Sequence, residues 1–408
     1  MQIQCTYRAH IVDMLRHLPP LPLIVEFNNK KVALSKRDQS GMYHALRLRD
    51  RVRHIDLRLP PSVLHKCLGL MGESFPILQC LSLWFTTDKM TAPTVALTLP
   101  KAFSAPNLHH LTVPCIGSPQ NFQVLTTTTS LVKLEIWNIQ TSTSYFRASL
   151  LVARLSSLPQ LRELSIGFSV PIPRPSAETE LLDDGGVPVT LPNLKYLRFR
   201  GVSTYLECLV AQIRTILLER LDIMFFNQTA FALPNLSHLI NTTDRLKHPT
   251  AQVSFCPNGV SLITAQHISG WSDNNIQPLC MGVTCQEFDW QIHCAAQLCS
   301  ELIPALAGVR EVSLDLHGSG TPNQGEIDGT MWHELLRSFA GVRELHIERA
   351  LLEELSRALR VNMVGAEPGF LPDLQNIVAE DNRFAAFIDA RRLFAGRSIR
   401  FLPRQPLI

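Results

Sequence analysis

The chain carries almost no excess of charge, with 38 Lys and Arg against 35 Asp and Glu over 408 residues, a formal net charge of +3. Proteins that hold nucleic acid through its phosphates carry a basic excess, so that class is not indicated. No apolar run approaches the roughly 18 residues that a bilayer span requires. There is no N-terminal charged-then-apolar segment ending in small residues, which argues against secretion. The ten cysteines follow no framework spacing and read as reduced, mostly buried thiols rather than a disulfide scaffold. Sequons at Asn227, Asn235 and Asn241 would matter only in a secretory compartment. The expected location is cytoplasmic or nuclear. Catalytic signatures are also missing: no G-x-S-x-G elbow, H-E-x-x-H, P-loop or G-x-G-x-x-G after a strand, so neither an enzyme nor a cofactor is expected.

What the chain does have is an apolar pattern that changes period. In "LPNLKYLRFRGVSTYLECLVAQI", Leu191 to Ile213, Leu197 and Phe199 alternate with Tyr196, Arg198 and Arg200, as a strand with one buried face requires. Tyr205, Leu206, Leu209, Val210 and Ile213 then recur at helical spacing, and Thr204 and Glu207 have the spacing of a capping box. The same L-x-x-L-x-L unit returns at Leu78, Leu108, Leu131, Leu161 and Leu218, and its opening again in "LPNLSHLI" at Leu236. It reappears in "LAGVREVSLDL", "FAGVRELHIER" and "LPDLQNIVAE". The spacing, roughly 18 to 33 residues, overlaps that of leucine-rich repeats. One such unit cannot bury enough apolar surface to order itself, whereas stacked units share a continuous core. The composition, 46% hydrophobic and 18% charged, suits such a core. The expected fold class is α/β, an irregular leucine-rich-repeat solenoid, or horseshoe, with one parallel sheet in which these strands pair in sequence order.

Residues 1–70 read as the N-terminal layer, with a first strand carrying Val52, Ile55, Leu57 and Leu59, and residues 71–408 as the solenoid proper. Turn-forming stretches predict exposed loop insertions near 171–190 and 317–330. At the C-terminus "AAFIDARRLFAG" reads as a helix and "SIRFL" as a closing strand.

Two clusters invite a ligand. Cys280, Cys285, His293, Cys294 and Cys299 offer soft metal ligands, but "EFDWQI" reads as a strand between them and no tight knuckle presents them, so they are taken as buried thiols and no metal is expected. Arg47, Arg49, Arg51, Arg53 and Arg58 are interrupted by Asp50 and Asp56 without interleaved aromatics, and read as a solvated face or an interface. What remains is a surface. In each strand the residues flanking the inner aliphatics face outward, and in a horseshoe they line the concave side. They are Ser82 and Trp84; Lys133, Glu135 and Trp137; Tyr196, Arg198 and Arg200; Arg220, Asp222 and Met224; Glu344, His346 and Glu348. Trp, Tyr, Arg and Met are enriched at protein interfaces, and a protein partner is expected there. The alternative for Trp84 and Trp137 is that they cover a repeat edge or pack beneath loops.

Taken together, "MLRHLPPLPLIVEF", "RVRHIDLRLP", "FPILQCLSLWF", "LERLDIMFFNQTAF" and "FAAFIDARRLFAG" resemble the leucine-rich-repeat part of the F-box proteins expanded in mushroom-forming fungi. That resemblance implies the substrate-recognition part of a cullin-based ubiquitin ligase, with the F-box docking onto the ligase's linker subunit and the repeats holding a protein substrate. The family pattern is broken at two places. No F-box helix bundle precedes "MQIQCTYRAHIVDML", so either the reading frame is truncated or this member lacks the docking module, which would leave Ile11, Val12, Leu15 and Leu18 uncovered. The asparagine ladder of regular repeats is replaced by Thr86, Ile116, Ile139, Ser169, Val202 and Ala350. The alternative to the adaptor is a non-enzymatic protein-binding scaffold unconnected to ubiquitin.

Overall fold

The computed structural model describes residues 2–28, 34–86, 99–114, 123–139, 147–169, 187–228, 230–266, 277–317, 329–361, 371–380, 388 and 399–403. These cluster into two compact units, Met1–Gly201 with Cys208–Leu217, and Val202–Glu207 with Leu218–Ile408. Residues 1–70 lie wholly in the first.

The first unit carries strands β1 (Ile3–Cys5), β2 (Leu23–Phe27), β3 (Val52–Leu59), β4 (Cys80–Phe85), β5 (His110–Pro114), β6 (Lys133–Ile139), β7 (Glu163–Phe168), β8 (Val189–Leu191), β9 (Tyr196–Gly201) and β10 (Ile213–Thr215). Its helices are α1 (Ile11–His17), α2 (Lys36–Arg47), α3 (Pro61–Leu70), α4 (Gln123–Thr127) and α5 (Ala148–Leu155), and α6 (Ser203–Ala211) straddles the boundary between the two residue sets. Strands β1 to β7 pair in sequence order and β9 follows β7, every ladder parallel, while β8 and β10 form a separate parallel pair. This is the α/β repeat architecture that the alternation predicts, and Leu78, Leu108, Leu131, Leu161 and Leu194 are all buried at the strand entries.

Register explains the core. Ile55, Leu81, Leu111, Leu134, Leu164 and Leu197 stand opposite one another across successive strands, each at most 2% exposed. The helices return Leu64, Cys67 and Leu68 of α3 and Leu151, Val152 and Leu155 of α5 to the interior. At each entry one carbonyl receives two amides of the next strand: Gln79 O from His109 and His110, His109 O from Val132 and Lys133, Val132 O from Arg162 and Glu163. Successive layers are tied further by asparagines that the regular ladder position does not supply. Asn107 Nδ2 donates to Pro76 O at 2.7 Å and Asn193 Nδ2 to Pro159 O at 2.9 Å.

The second unit contains β11 (Arg220–Phe225), β12 (Thr250–Cys256), β13 (Gly259–Ala265), β14 (Leu279–Val283), β15 (Glu311–Leu316), β16 (Glu344–Ile347), β17 (Asn376–Ala379) and β18 (Arg400–Pro403). Its helices include α7 (Pro234–Thr242), α8 (Phe288–Glu301), α9 (Ile303–Leu306), α10 (Gly329–Arg337) and α11 (Leu352–Val361). Within the unit β11 pairs parallel with β14, and β12, β15, β16, β17 and β18 form a parallel run. The closing strand expected in "SIRFL" is β18.

Several local expectations are corrected. The sheet is not wholly parallel, because β13 pairs antiparallel with both β12 and β14. The cause is the tight turn at Pro257 and Asn258, which leads into Gly259. Gly259 has φ +157°, and a Cβ there would meet Val283 O at 2.2 Å. "EFDWQI" is not a strand but the start of α8, whose buried Ile292, Ala295, Ala296 and Cys299 follow helical spacing. The alternation of Phe288 and Trp290 covered too few residues to separate the two periods. The strand at Val52 is the third, since β1 and β2 precede it. Ile213 begins β10 rather than ending α6. Ile11 is covered, 2% exposed beside Gly41 of α2, although Leu18 is 42% exposed. The loop expected at 171–190 lies outside the described residues except for 187–190, that near 317–330 except for its two ends, and the helix in "AAFIDARRLFAG" except for residue 388.

The opening of "LPNLSHLI" forms α7 instead of a strand entry. Pro234 occupies its first turn, where a missing N–H costs nothing. Glu207 Oε2 and Oε1 accept from the amides of Asn235 at 2.8 Å and Leu236 at 2.9 Å, and Glu301 accepts from Leu233 N at 2.9 Å. Two carboxylates thus satisfy the free N–H groups at this helix start. Glu207 therefore closes a neighbouring helix and not a capping box with Thr204. Burial pushes its carboxyl above the ordinary range, against the pull of those two amides.

Candidate binding surface

In the first unit the parallel register sorts the outward side chains into three rows. His54, Cys80, His110, Lys133, Glu163 and Tyr196 form the first, and Asp56, Ser82, Thr112, Glu135, Ser165 and Arg198 the second. Two residues further along the same strands stand Arg58, Trp84, Pro114, Trp137, Gly167 and Arg200. The middle row holds small hydroxyl side chains at Ser82, Thr112 and Ser165, of which Thr112 and Ser165 are buried.

Both tryptophans are half-buried and held. Trp84 Nε1 donates to Ser82 Oγ at 2.9 Å, and the Arg58 guanidinium lies 5.3 Å from its ring centre. Arg198 lies 5.0 Å from the centre of the Trp137 ring. A cation over an aromatic face is attracted by the ring quadrupole, so each pair fixes the orientation of a large flat side chain. Trp137 in turn lies over Gly167, where a Cβ would come within 2.1 Å of its Cε3. Only a residue without a side chain lets the indole settle there.

Beside Trp137, on its own strand and the next, lies a charged bridge. Lys133 Nζ reaches Glu135 at 3.0 Å and Glu163 at 3.1 Å, and Thr112 Oγ1 donates to Glu135 Oε2 at 3.0 Å. Partial burial would lower the Lys133 pKa, but the two glutamates outweigh it and hold the ammonium above its ordinary value. Burial and the Lys133 charge push the His110 imidazole down. Towards β1, Asn28 Nδ2 donates to Asp56 at 2.7 Å and Glu26 at 3.1 Å, and Gln4 Nε2 to Glu26 at 2.8 Å.

Of the residues singled out by alternation, Trp84, Lys133, Glu135, Trp137, Tyr196, Arg198 and Arg200 share this outward face. Arg220, Asp222 and Met224 belong to the second unit, on β11, where Asp222 stands opposite Cys280 and Met224 opposite Gly282. Met224 covers that glycine as Trp137 covers Gly167, with its Cε 2.9 Å from where a Cβ would sit. Glu344 and His346 stand outward on β16, and Glu348 accepts from the Leu316 amide. Alternation did not single out Arg58, Thr112, Ser165 or Gly167. Their signal was the position of each strand's repeat relative to the next, which becomes legible only once the register is known.

The cysteine cluster disperses. Cys280 lies on β14, Cys299 is fully buried in α8, and His293 packs on Trp290 with Nδ1 3.2 Å from Met331 Sδ. Cys285 and Cys294 share a hydrogen bond that pushes the first thiol up and the second down. Among the described residues, no helix is long and apolar enough to cross a membrane.

No protein-family model matches the chain, and no curated protein matches it. Among solved structures it is similar to the leucine-rich-repeat-containing protein LegL7 from Legionella pneumophila, at 12% identity and a TM-score of 0.29, over 98% of this chain and 99% of that one. At that distance the fold stands on the strand order and registers described above.

Proposed function

We propose that the chain is a non-enzymatic scaffold that binds a protein across the outward face of the first unit's sheet. One observation carries this reading: Trp84 and Trp137 are held half-exposed on the same face of the sheet by Arg58 and Arg198. Oriented aromatic and arginine side chains are the anchors that dominate protein interfaces, and holding them in place beforehand lowers the entropy lost on docking. The finer reading, a substrate adaptor of a cullin-based ubiquitin ligase, is supported by the sequence resemblance to mushroom-type F-box proteins.

A photo-crosslinking amino acid at position 200, exposed on this same face, tests the scaffold reading. It should capture a polypeptide in cells, and capture should fall at least about tenfold in the Trp137→Ala, Arg198→Ala double variant. The same captured set from a probe on the solvent side of α5, or from the double variant, would overturn it. Co-purification of the complete gene product with the ligase linker subunit tests the finer reading, and its failure leaves the scaffold reading in place.

A further inference from the structure

Strands β15 and β16 run parallel with Glu311 opposite Glu344 and Ser313 opposite His346. The alternating residues Val312, Leu314, Leu345 and Ile347 are buried, so Glu311, Glu344 and His346 stand on the other face. They converge there. His346 Nε2 lies 3.0 Å from Glu311 Oε1 and 2.8 Å from Glu344 Oε1, and one donor atom from each residue lies within 4.8 Å of the other two. The second oxygen of Glu344 accepts from Asn376 Nδ2 at 2.9 Å, Asn376 being its register partner on β17.

The charges of this trio do not balance. Among the described residues, the ion-pair partner of both carboxylates is His346. Two carboxylates beside one imidazole leave the group at −1 with the ring protonated and −2 with it neutral. Like charges directly across a ladder repel, and they persist more readily when a cation compensates them.

We propose that Glu311, Glu344 and His346 form a site for a divalent transition metal of the zinc type, with a fourth position open to water or to a donor from a bound molecule. The donor set, one imidazole nitrogen and two carboxylate oxygens, suits such an ion. With Zn–N and Zn–O bonds of about 2.0–2.2 Å, tetrahedral ligand atoms stand about 3.3–3.5 Å apart. The nitrogen-to-oxygen separations need widen only by a few tenths of an ångström, which side-chain rotation supplies. The ion displaces the proton on Nε2 and releases it to solvent. Asn376 orients the Glu344 carboxylate as an outer-shell partner, and the ligands stand on paired strands rather than on loops.

Zinc chloride titrated calorimetrically into the EDTA-dialysed full chain tests the site. Exposed histidines and thiols also take up zinc, so the comparison is among wild type, His346→Gln, Glu311→Gln and Asn376→Ala, each first shown to melt cooperatively without metal. Wild type should bind one equivalent that the first two variants lose, and Asn376→Ala should weaken it about tenfold. X-ray absorption of the one-equivalent complex should show nitrogen and oxygen neighbours at about 2.0–2.1 Å. Equal stoichiometry and affinity in all four proteins, or a first shell of sulfur at about 2.3 Å, would overturn the proposal.

Discussion

Replacing Gly167 by alanine should displace Trp137, and the size of the effect can be worked from the contact. The new Cβ would start 2.1 Å from Cε3 and 2.5 Å from Cζ3 of the indole. Ordinary carbon contacts lie at about 3.5–4.0 Å, so the ring must retreat by about 1.5 Å. That movement takes it from beneath Arg198, whose guanidinium now lies 5.0 Å from the ring centre. Overpacking of this kind costs about 1–3 kcal/mol and the lost stack about 0.5–1, while replacing glycine inside a strand returns about 0.5–1. The expected net loss is about 1–3 kcal/mol, read from the denaturant midpoint together with a changed near-UV dichroism. A double-mutant cycle isolates the cause. In a Trp137→Ala background Gly167→Ala should be neutral or mildly stabilising, because nothing is left to strike. An equal cost in both backgrounds would refute the reasoning, and with it the claim that Gly167 seats the indole.

Other outcomes follow from the same geometry. Glu207→Ala leaves the Asn235 and Leu236 amides without an acceptor, at about 1–3 kcal/mol each, partly offset because a carboxylate need no longer be buried. The net loss should be about 2–4 kcal/mol with faster hydrogen exchange at residues 235 and 236, and an unmoved midpoint would contradict the capping role. Burial and the nearby Asp289 charge push the Glu354 carboxyl up to about 7 from 4.5. Between those values the unfolded chain is ionised while the folded one keeps its proton, so this group's contribution to stability falls as pH rises and is lost above about pH 7. Glu354→Gln should therefore raise the melting temperature at pH 8 more than at pH 5; equal changes at both would show the carboxyl to be unperturbed, and either that or the reverse order would refute the raised value. Leu197→Ala, at a position 2% exposed, should cost about 2–5 kcal/mol, checked by calorimetry.

Much of the architecture was legible in the chain because alternation is a local property. A strand with one buried face shows its period in five or six residues, so β4, β5, β6, β7, β9, β15, β16 and β17 all stood out, each with its inward leucine, isoleucine or valine. The outward residues followed from the same alternation. In "EFDWQI" the signal was a single alternation, Phe288 against Trp290, and two apolar residues could not separate helix from strand.

Other features depended on partners distant in sequence. The tetrapeptide Leu-Pro-Asn-Leu enters strand β9 at Leu191, with Asn193 bonded to Pro159 of the preceding layer, yet at Leu233 it starts helix α7. Its second use depends on Glu207 and Glu301, two carboxylates remote in the chain that accept the amides a helix start leaves free. Trp137 over Gly167, and His346 between Glu311 and Glu344, likewise arise from cross-strand register. Alternation sets which face a side chain takes, but which side chains meet on that face depends on how far each strand slides along its neighbour. That offset is settled by the packing of the whole layer.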